Sequence, residues 1–181
     1  EGVRRGQRRR DAQRRCPGLV VLAPDPDREA RVFASIASLM DRFTPCVELS
    51  RPGRLAFPVR GASRLFGGDD ALARLIVAEV DDALGAAGWS GALGVGVADG
   101  SFAAERAAIG AVRRADHVCV VEPGGSAAFL APTPITALDR PELTDVLRRL
   151  GLRDLGSFAA LDADDVVGRF GAEGRVAHRL A

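Results

Sequence analysis

The chain has 181 residues, of which 47% are hydrophobic, and its formal net charge is only +1. This length and composition allow one domain with a buried core, or one domain with a small appendage. No apolar run is long enough to cross a bilayer and no signal peptide opens the sequence, so we expect a cytoplasmic protein without a membrane partner. The first residue is Glu1 rather than a methionine, which indicates a fragment of a longer protein.

The cysteines and histidines offer little material for a metal site. Cys16, Cys46 and Cys119 are far apart in the sequence, and His117 and His178 are the only histidines. No Cys-x-x-Cys pair is present, so the pattern predicts neither a zinc site nor a disulfide framework, and a reducing compartment is expected.

The charge is concentrated at the start of the chain. Residues 1–15 carry seven arginines against two acidic residues, a net charge of +5, so the remaining residues carry a net charge of −4. A basic end on an acidic body predicts a contact with a polyanion, and the alternative is a solvated helix face. The candidate contacts in this stretch are Arg4, Arg5, Arg8, Arg9 and Arg10.

Two long helices are predicted in the first half of the chain. The first covers residues 26–43: Pro26 suits a first helical turn, the neighbouring acids favour the positive N-terminal end, and apolar residues follow at helical spacing. The second covers residues 69–87, with Asp69 and Asp70 as N-cap or first-turn acids.

Short strands are predicted between and after these helices. Cys46–Ser50 and Arg54–Val59 are joined through Pro52-Gly53, a pair that favours a tight turn, so this segment is predicted to form a hairpin. Ala92–Ala98 is a strand with glycines that permit close backbone approach. Val118–Val121 is a further strand, and short helices are predicted from Pro141 onwards.

The hairpin segment resembles the active-site hairpin of the Y-family (translesion) DNA polymerases, whose pattern is Val-Glu-x-x-Ser-Ile-Asp-Glu-Ala-x-Leu-Asp-Val-x-Gly. Four residues match this pattern at the flanks: Val47, Glu48, Val59 and Gly61. The metal-binding Asp-Glu pair of the family falls on Gly53 and Arg54.

The resemblance extends to both sides of the hairpin. Gly2–Leu19 is similar to the end of the family's fingers domain, and Ala92–Ala98 resembles its strand-to-helix junction, with Gly96 as the shared glycine. Two lysines of that junction fall on Ser101 and Glu105. A third lysine, in the family's Lys-Pro-Asp-Gly segment, falls near residues 114–117, where Arg114 could keep the charge.

The last part of the chain resembles a helix-hairpin-helix thumb. In such hairpins, N–H groups at a helix N-terminus meet a phosphate. The first hairpin is degenerate near Leu138 and Arg140, whereas the second keeps Gly171 and Gly174. These two glycines and Arg175 join the candidate DNA contacts, and the alternative role of Gly171 is a helix C-cap.

The resemblance implies an α/β (α+β) fold, with a polymerase palm of ferredoxin-like type followed by a small all-α helix-hairpin-helix thumb. Residues 1–24 would be the C-terminal part of the fingers, 25–131 the palm-like domain and 132–181 the thumb. We expect residues 54–59 and 92–97 to share one sheet, with both long helices on one face, and take this as a criterion for the assignment. The first palm strand, the clamp motif and the little-finger domain would lie outside these residues.

Phosphoryl transfer by two metal ions requires carboxylates that hold Mg²⁺ against phosphates, and Gly53 and Arg54 supply none. The resemblance therefore points to the ImuB-type branch and implies a non-catalytic scaffold in SOS-induced mutagenesis and translesion synthesis. No cofactor is expected, because the Mg²⁺ site is predicted to be lost. The implied partners are DNA, bound without sequence preference, the sliding clamp, an error-prone C-family polymerase and a RecA-like accessory protein.

Three alternatives remain. An active translesion polymerase would use displaced acids such as Glu48 or Asp69, and a plain DNA-binding module would have no role in mutagenesis. Gly67-Gly68-Asp69-Asp70 is also similar to the Gly-Gly-Asp-Glu motif of diguanylate cyclases. That motif lies at a hairpin turn, whereas the helical spacing of the residues that follow Asp70 favours a helix start here.

Overall fold

The computed structural model describes residues 2–4, 6–89 and 91–181. All four strands in these ranges lie in the first two thirds of the chain, among helices, and the last third is helical. In chain order the elements are α1 (Arg9–Arg15), α2 (Pro26–Leu39), a 3-10 turn (Met40–Arg42), β1 (Glu48–Arg51), β2 (Arg54–Ala56), α3 (Arg60–Phe66), α4 (Asp69–Ala86), β3 (Val95–Val97), α5 (Ser101–Ala111), β4 (Val118–Val120), α6 (Ser126–Leu130), a 3-10 turn (Ile135–Leu138), α7 (Pro141–Arg149), α8 (Leu155–Ala159) and α9 (Ala163–Leu180). Across the described ranges, no helix is both long and apolar enough to span a membrane.

Both long helices begin where the sequence predicts. The carboxylate of Asp25 accepts a hydrogen bond of 3.0 Å from the backbone N–H of Arg28, which satisfies one of the open donors at the start of α2. Helix α4 begins at Asp69, so Asp69 and Asp70 lie in its first turn as predicted. This position in a helix, rather than in a hairpin turn, also removes the basis of the cyclase alternative.

The predicted hairpin is present. Strand β1 pairs with β2 in antiparallel register, with Leu49 opposite Leu55 and Arg51 opposite Arg54. The two intervening residues form the turn, and Gly53 has a φ of +83°, a conformation that glycine adopts without strain. Strand β2 ends earlier than predicted, because Pro58 cannot donate to a ladder and α3 starts soon afterwards.

A parallel pair forms further along the chain. Strand β3 lies beside β4, with Gly96 opposite Cys119, and α5 provides the crossover between them. Gly96 allows α5 to pack directly on β3: a Cβ at this position would lie 2.2 Å from the backbone nitrogen of Ala108 and 2.3 Å from the carbonyl oxygen of Ala104. The predicted close approach at these glycines is confirmed.

The expectation of one sheet containing β2 and β3 was wrong. The hairpin and the β3–β4 pair are separate two-stranded sheets, with no ladder joining them in the described part of the chain. A groove of about 1280 Å³ lies between them, with Leu55 on one side and Val95 on the other. Both sides are packed against Leu72 and Ile76 of α4, so the two sheets share an apolar base although their edges do not pair.

The C-terminal helices surround a second apolar cluster. Leu147, Leu155 and Phe158 are fully buried within it. Helix α9 is interrupted at Gly171, whose φ of 61° and ψ of −148° are not helical, so it consists of two helical segments as the sequence predicts. Ala103 of α5 and Leu130 of α6 belong to the same cluster, which packs these helices against the β3–α5 unit.

Candidate functional site

The tip of the β1–β2 hairpin carries a glycine and a cation. No described heavy atom lies within 4 Å of the position that a Cβ on Gly53 would occupy, so the turn is open to solvent. Arg54 is the first residue of β2, and its guanidinium forms an ion pair with the carboxylate of Glu105 on α5. The side chains of the two residues are 32% and 25% exposed, so both charges are partly withdrawn from water.

A second arginine contacts the same carboxylate. Arg106 donates to Glu105, and its guanidinium carbon lies 5.4 Å from the centre of the Phe102 ring. The Nε atom of Arg106 is buried and has no hydrogen-bond partner among the described residues. Arg54, Glu105 and Arg106 therefore form a cluster of two cations and one anion beside the groove.

This arrangement does not fit a divalent metal site. Mg²⁺ takes oxygen ligands in near-octahedral geometry, whereas Gly53 has no side chain and the guanidinium of Arg54 would repel the ion. Glu48 lines the groove from β1, and Asp69 accepts a hydrogen bond from the hydroxyl of Ser63. Within the described ranges, no group of three or more His, Cys, Asp or Glu residues is placed to hold a metal ion.

The positions predicted to match lysines of the family pattern carry other residues in this chain. Ser101 begins α5 and Glu105 is in the ion cluster, so neither supplies a positive charge. The Nε atom of Arg114 lies 3.4 Å from the Oδ1 atom of Asp116, which partly neutralises the one cation that remains. His117 has a φ of 55°, a left-handed conformation that favours glycine, and it falls on the glycine of Lys-Pro-Asp-Gly.

Asp116 fixes this turn through its carboxylate. The backbone N–H of Val118 donates to Oδ1 at 3.4 Å, and Nη2 of Arg74 lies 3.4 Å from Oδ2. The hydrogen bond from Val118 and the charge of Arg114 hold the pKa of Asp116 below its ordinary value. The charge of Asp116 is therefore satisfied within the turn, by Arg74 and Arg114.

The basic start of the chain is accessible. Arg4, Arg8, Arg9 and Arg10 are exposed, whereas Arg5 lies outside the described residues. A hollow of about 620 Å³ beside α1 is lined by three arginines and one acid, namely Arg4, Arg14, Arg15 and Asp11. Arg14 and Arg15 were counted in the basic stretch but were not among the predicted contacts; they lie 10 and 11 residues from Arg4, so no local signal places the three together.

The two predicted helical hairpins lie side by side. Arg140, in the first, has its Nη1 atom 3.5 Å from the Oε1 atom of Glu173 in the second. Asp139 has a φ of 54° and Gly171 a φ of 61°, so both turns contain a left-handed residue. The first hairpin therefore contains a left-handed residue although its sequence lacks the glycines of the family pattern.

The structure separates the roles of the predicted contacts in the second hairpin. Gly174 is buried, and a Cβ there would lie 2.4 Å from the Cβ of Phe170, so this glycine is required for packing. Arg175 is exposed and has no ion-pair partner among the residues that the structure describes. Contact of Gly171, Gly174 and Arg175 with DNA stays a prediction.

Comparison with known proteins defines the class. The model of the impB/mucB/samB family matches residues 1–105, which is more than half of the chain, and the chain therefore belongs to this family of Y-family polymerase domains. The resemblance predicted from the sequence is confirmed. Family membership thus holds although β2 and β3 are in separate sheets, so the shared sheet was the wrong criterion.

The chain is similar to relatives named DNA polymerase IV and to relatives named ImuB. DNA polymerase IV of Moorella thermoacetica is 26% identical over 182 residues, which is 99% of this chain and 44% of that protein. Protein ImuB of Caulobacter vibrioides is 28% identical over 171 residues, which is 94% of this chain and 35% of that protein. The chain therefore spans less than half of the length of these curated relatives.

Solved polymerase structures share the fold. DinB from Sulfolobus solfataricus has a TM-score of 0.74 at 17% identity, and the match covers 99% of this chain and 52% of that one. An insertion ternary complex of Dbh DNA polymerase has a TM-score of 0.75 at 16% identity with the same coverage. The predicted mixed α/β fold of the polymerase type is confirmed.

Proposed function

We propose that the protein is a non-catalytic Y-family polymerase homologue that acts as a DNA-binding scaffold or adaptor in SOS-induced translesion synthesis. The observation that carries this proposal is the tip of the hairpin. Gly53 and Arg54 occupy the positions of the metal-binding pair, and Arg54 is engaged with Glu105 rather than open to a ligand. A site of this kind cannot hold Mg²⁺ against a triphosphate, so no metal cofactor is proposed.

The proposed partners follow from the resemblance. A relative named ImuB agrees with the ImuB-type branch that the sequence resembles. The partners that this resemblance implies are the sliding clamp, an error-prone C-family polymerase and a RecA-like accessory protein. The proposed division is the end of the fingers at residues 1–24, the palm at 25–131 and a helix-hairpin-helix thumb at 132–181. We propose a cytoplasmic protein associated with the nucleoid.

DNA would be held through its phosphates. Exposed guanidinium groups at Arg4, Arg8, Arg9 and Arg10 release condensed counterions when they meet phosphates, and this contact is independent of sequence. Arg175 would add a contact beside the turn at Gly171. The acidic remainder of the chain opposes this attraction only weakly, because exposed charges are screened beyond about 8–10 Å at ordinary ionic strength.

Primer extension tests the absence of catalysis. The purified protein and a DNA polymerase IV relative are incubated with primer–template, deoxynucleotides and Mg²⁺, and binding of the same DNA is measured in parallel. We expect extension by the relative alone and binding by both proteins. Robust metal-dependent extension by this protein would overturn the proposal.

An active polymerase is the second candidate, and the relatives named DNA polymerase IV favour it. Its metal ligands would have to be displaced acids such as Glu48, which lines the groove, or Asp69. If extension is observed, Glu48→Ala and Asp69→Ala should abolish it. A plain DNA-binding module is distinguished by a pull-down: it would retain neither the clamp nor the accessory polymerase.

A further inference from the structure

We propose that the Arg54–Glu105 ion pair holds the β1–β2 hairpin against helix α5 across the groove. This inference concerns how the fold is stabilised, so it stands apart from the proposed function. One consequence rests on the proposed function: an acidic residue restored at position 54 would need a basic residue at position 105.

The position of the ion pair gives it this role. The hairpin shares no strand ladder with β3 within the described residues, and the groove of about 1280 Å³ separates the two sheets. The apolar cluster formed with α4 joins the bases of the sheets, where Leu55 and Val95 pack. At the hairpin tip the contact to α5 is the charged one, from Arg54 to Glu105.

Partial burial makes this pair stronger than an ordinary surface pair. With side chains 32% and 25% exposed, the two charges are screened less by water and salt than fully exposed ones. Glu105 is further oriented by Arg106, which is itself held against the ring of Phe102. The carboxylate is therefore already in place when Arg54 meets it.

The cluster predicts an asymmetry between its members. Removing Arg54 leaves Glu105 paired with Arg106, whereas removing Glu105 leaves two partly buried guanidinium groups without their shared anion. Loss of the carboxylate should therefore loosen the hairpin more than loss of the arginine. A carboxylate at position 54 would face Glu105, so an acidic residue there requires a basic one at position 105.

Hydrogen exchange at residues 48–56, followed by mass spectrometry, measures opening of the hairpin directly. The variants are Arg54→Glu, Glu105→Arg and the charge-swapped double variant. We expect exchange to be on the order of tenfold faster in each single variant, and slower in the double variant than in either. The matched control is Arg60→Glu at the start of α3, because Arg60 is exposed, lies outside the β1–β2 ladder and lacks an ion-pair partner in the described chain. Its exchange should equal that of the wild type.

Neutral variants serve if a charge reversal prevents folding. Arg54→Met should raise exchange of the hairpin about twofold to threefold, and Glu105→Gln should raise it more. Exchange in α7 and α8 reports whether the rest of the chain remains folded. Unchanged hairpin exchange in these variants, or equal acceleration by Arg60→Glu, would overturn the ion-pair role. Primer extension is a separate readout, so failure of this inference and failure of the proposed function are distinguishable.

Discussion

The hairpin tip and the C-terminal helical hairpins have departed from the family pattern in different ways. At the tip, Gly53 has a φ of +83°, and Arg54, predicted to lie at a metal-binding position of the family, is paired with Glu105. In the first helical hairpin the sequence lacks the glycines of the family pattern, and Asp139 has a φ of 54°.

The difference follows from what each site requires. A two-metal site depends on particular carboxylates at fixed positions, so replacing two side chains removes it. A phosphate contact uses backbone N–H groups and any nearby arginine, so it tolerates sequence change as long as the turn persists. The proposed loss of catalysis with retention of DNA binding rests on this difference.

The largest expected effect concerns a glycine of the C-terminal hairpins, Gly174, which is buried, in contrast to the exposed Gly53 at the hairpin tip. Gly174→Ala would place a Cβ 2.4 Å from the Cβ of Phe170, and neither atom is the end of a flexible chain. We expect the free energy of unfolding to fall by about 3 kcal/mol, measured by chemical denaturation.

The matched control for this substitution lies in the same helix. Apart from its chain neighbours and the adjacent helix backbone, Gly168 has no described atom within 4 Å of its Cβ position, and its φ is not positive. Gly168→Ala should therefore be neutral, or stabilising by up to about 1 kcal/mol. Equal effects at both positions would contradict the packing role of Gly174.

The arginine-rich start provides the next test. Replacing Arg8, Arg9 and Arg10 with alanine should reduce the slope of log K against log salt by about 2.7 on duplex DNA, because each contact contributes about 0.9. Sequence preference should stay unchanged. The effect is measured by fluorescence anisotropy of labelled DNA across a range of salt concentrations.

The control variant removes the same charge elsewhere. Arg28, Arg31 and Arg60 are exposed, and their side chains have no ion-pair partner within the described ranges. Their replacement with alanine should leave the salt slope nearly unchanged. A slope that falls equally in both triple variants would mean that net charge, rather than a local contact, drives binding.

A smaller effect concerns the start of α8 and its dependence on pH. The carboxylate of Asp154 accepts hydrogen bonds from the N–H and the hydroxyl of Ser157, at 2.8 and 2.7 Å, which lowers its pKa from the ordinary 3.8. The stability that this lowered pKa provides is fully present above the pKa of Asp154 in the unfolded chain. It is lost as the pH falls from that value through the lower pKa of the folded protein. Asp154→Ala should therefore lower the Tm by about 2–4 °C at pH 7, and the difference from wild type should shrink below about pH 4.

Elements with local signals could be predicted from the sequence. Pro26 and the acids beside it mark the start of α2, Pro52-Gly53 marks the hairpin turn, and helical spacing marks α4. Each of these signals acts within a few residues, so no knowledge of the tertiary structure was needed.

Features that depend on distant residues could not be predicted in this way. No local pattern indicates that Arg54 meets Glu105, and the expectation of one continuous sheet failed because strand pairing is set by tertiary packing. His117 and Asp139 adopt left-handed conformations that are uncommon for residues other than glycine, so no glycine in the sequence marks these two positions.

The smallest expected effect is a substitution at the hairpin tip that brings no gain in primer extension. The double variant Gly53→Asp with Arg54→Glu restores the acidic pair of the family pattern, yet we expect no primer extension above the wild type. The carboxylate introduced at position 54 would face Glu105, and the cations that would stabilise a transferring phosphoryl group are absent at positions 101 and 105.

Adding Glu105→Lys to this double variant separates the two causes. In the triple variant the charges at positions 54 and 105 are again opposite in sign. Protection of the hairpin from hydrogen exchange should therefore be regained, even if primer extension stays absent. DNA binding should be equal in the wild type, the double variant and the triple variant, because the arginines that we propose to contact DNA lie away from the hairpin tip. Full activity in the double variant would show that the lost cations matter little. It would also show that the tip differs from a working metal site by its two acidic residues alone.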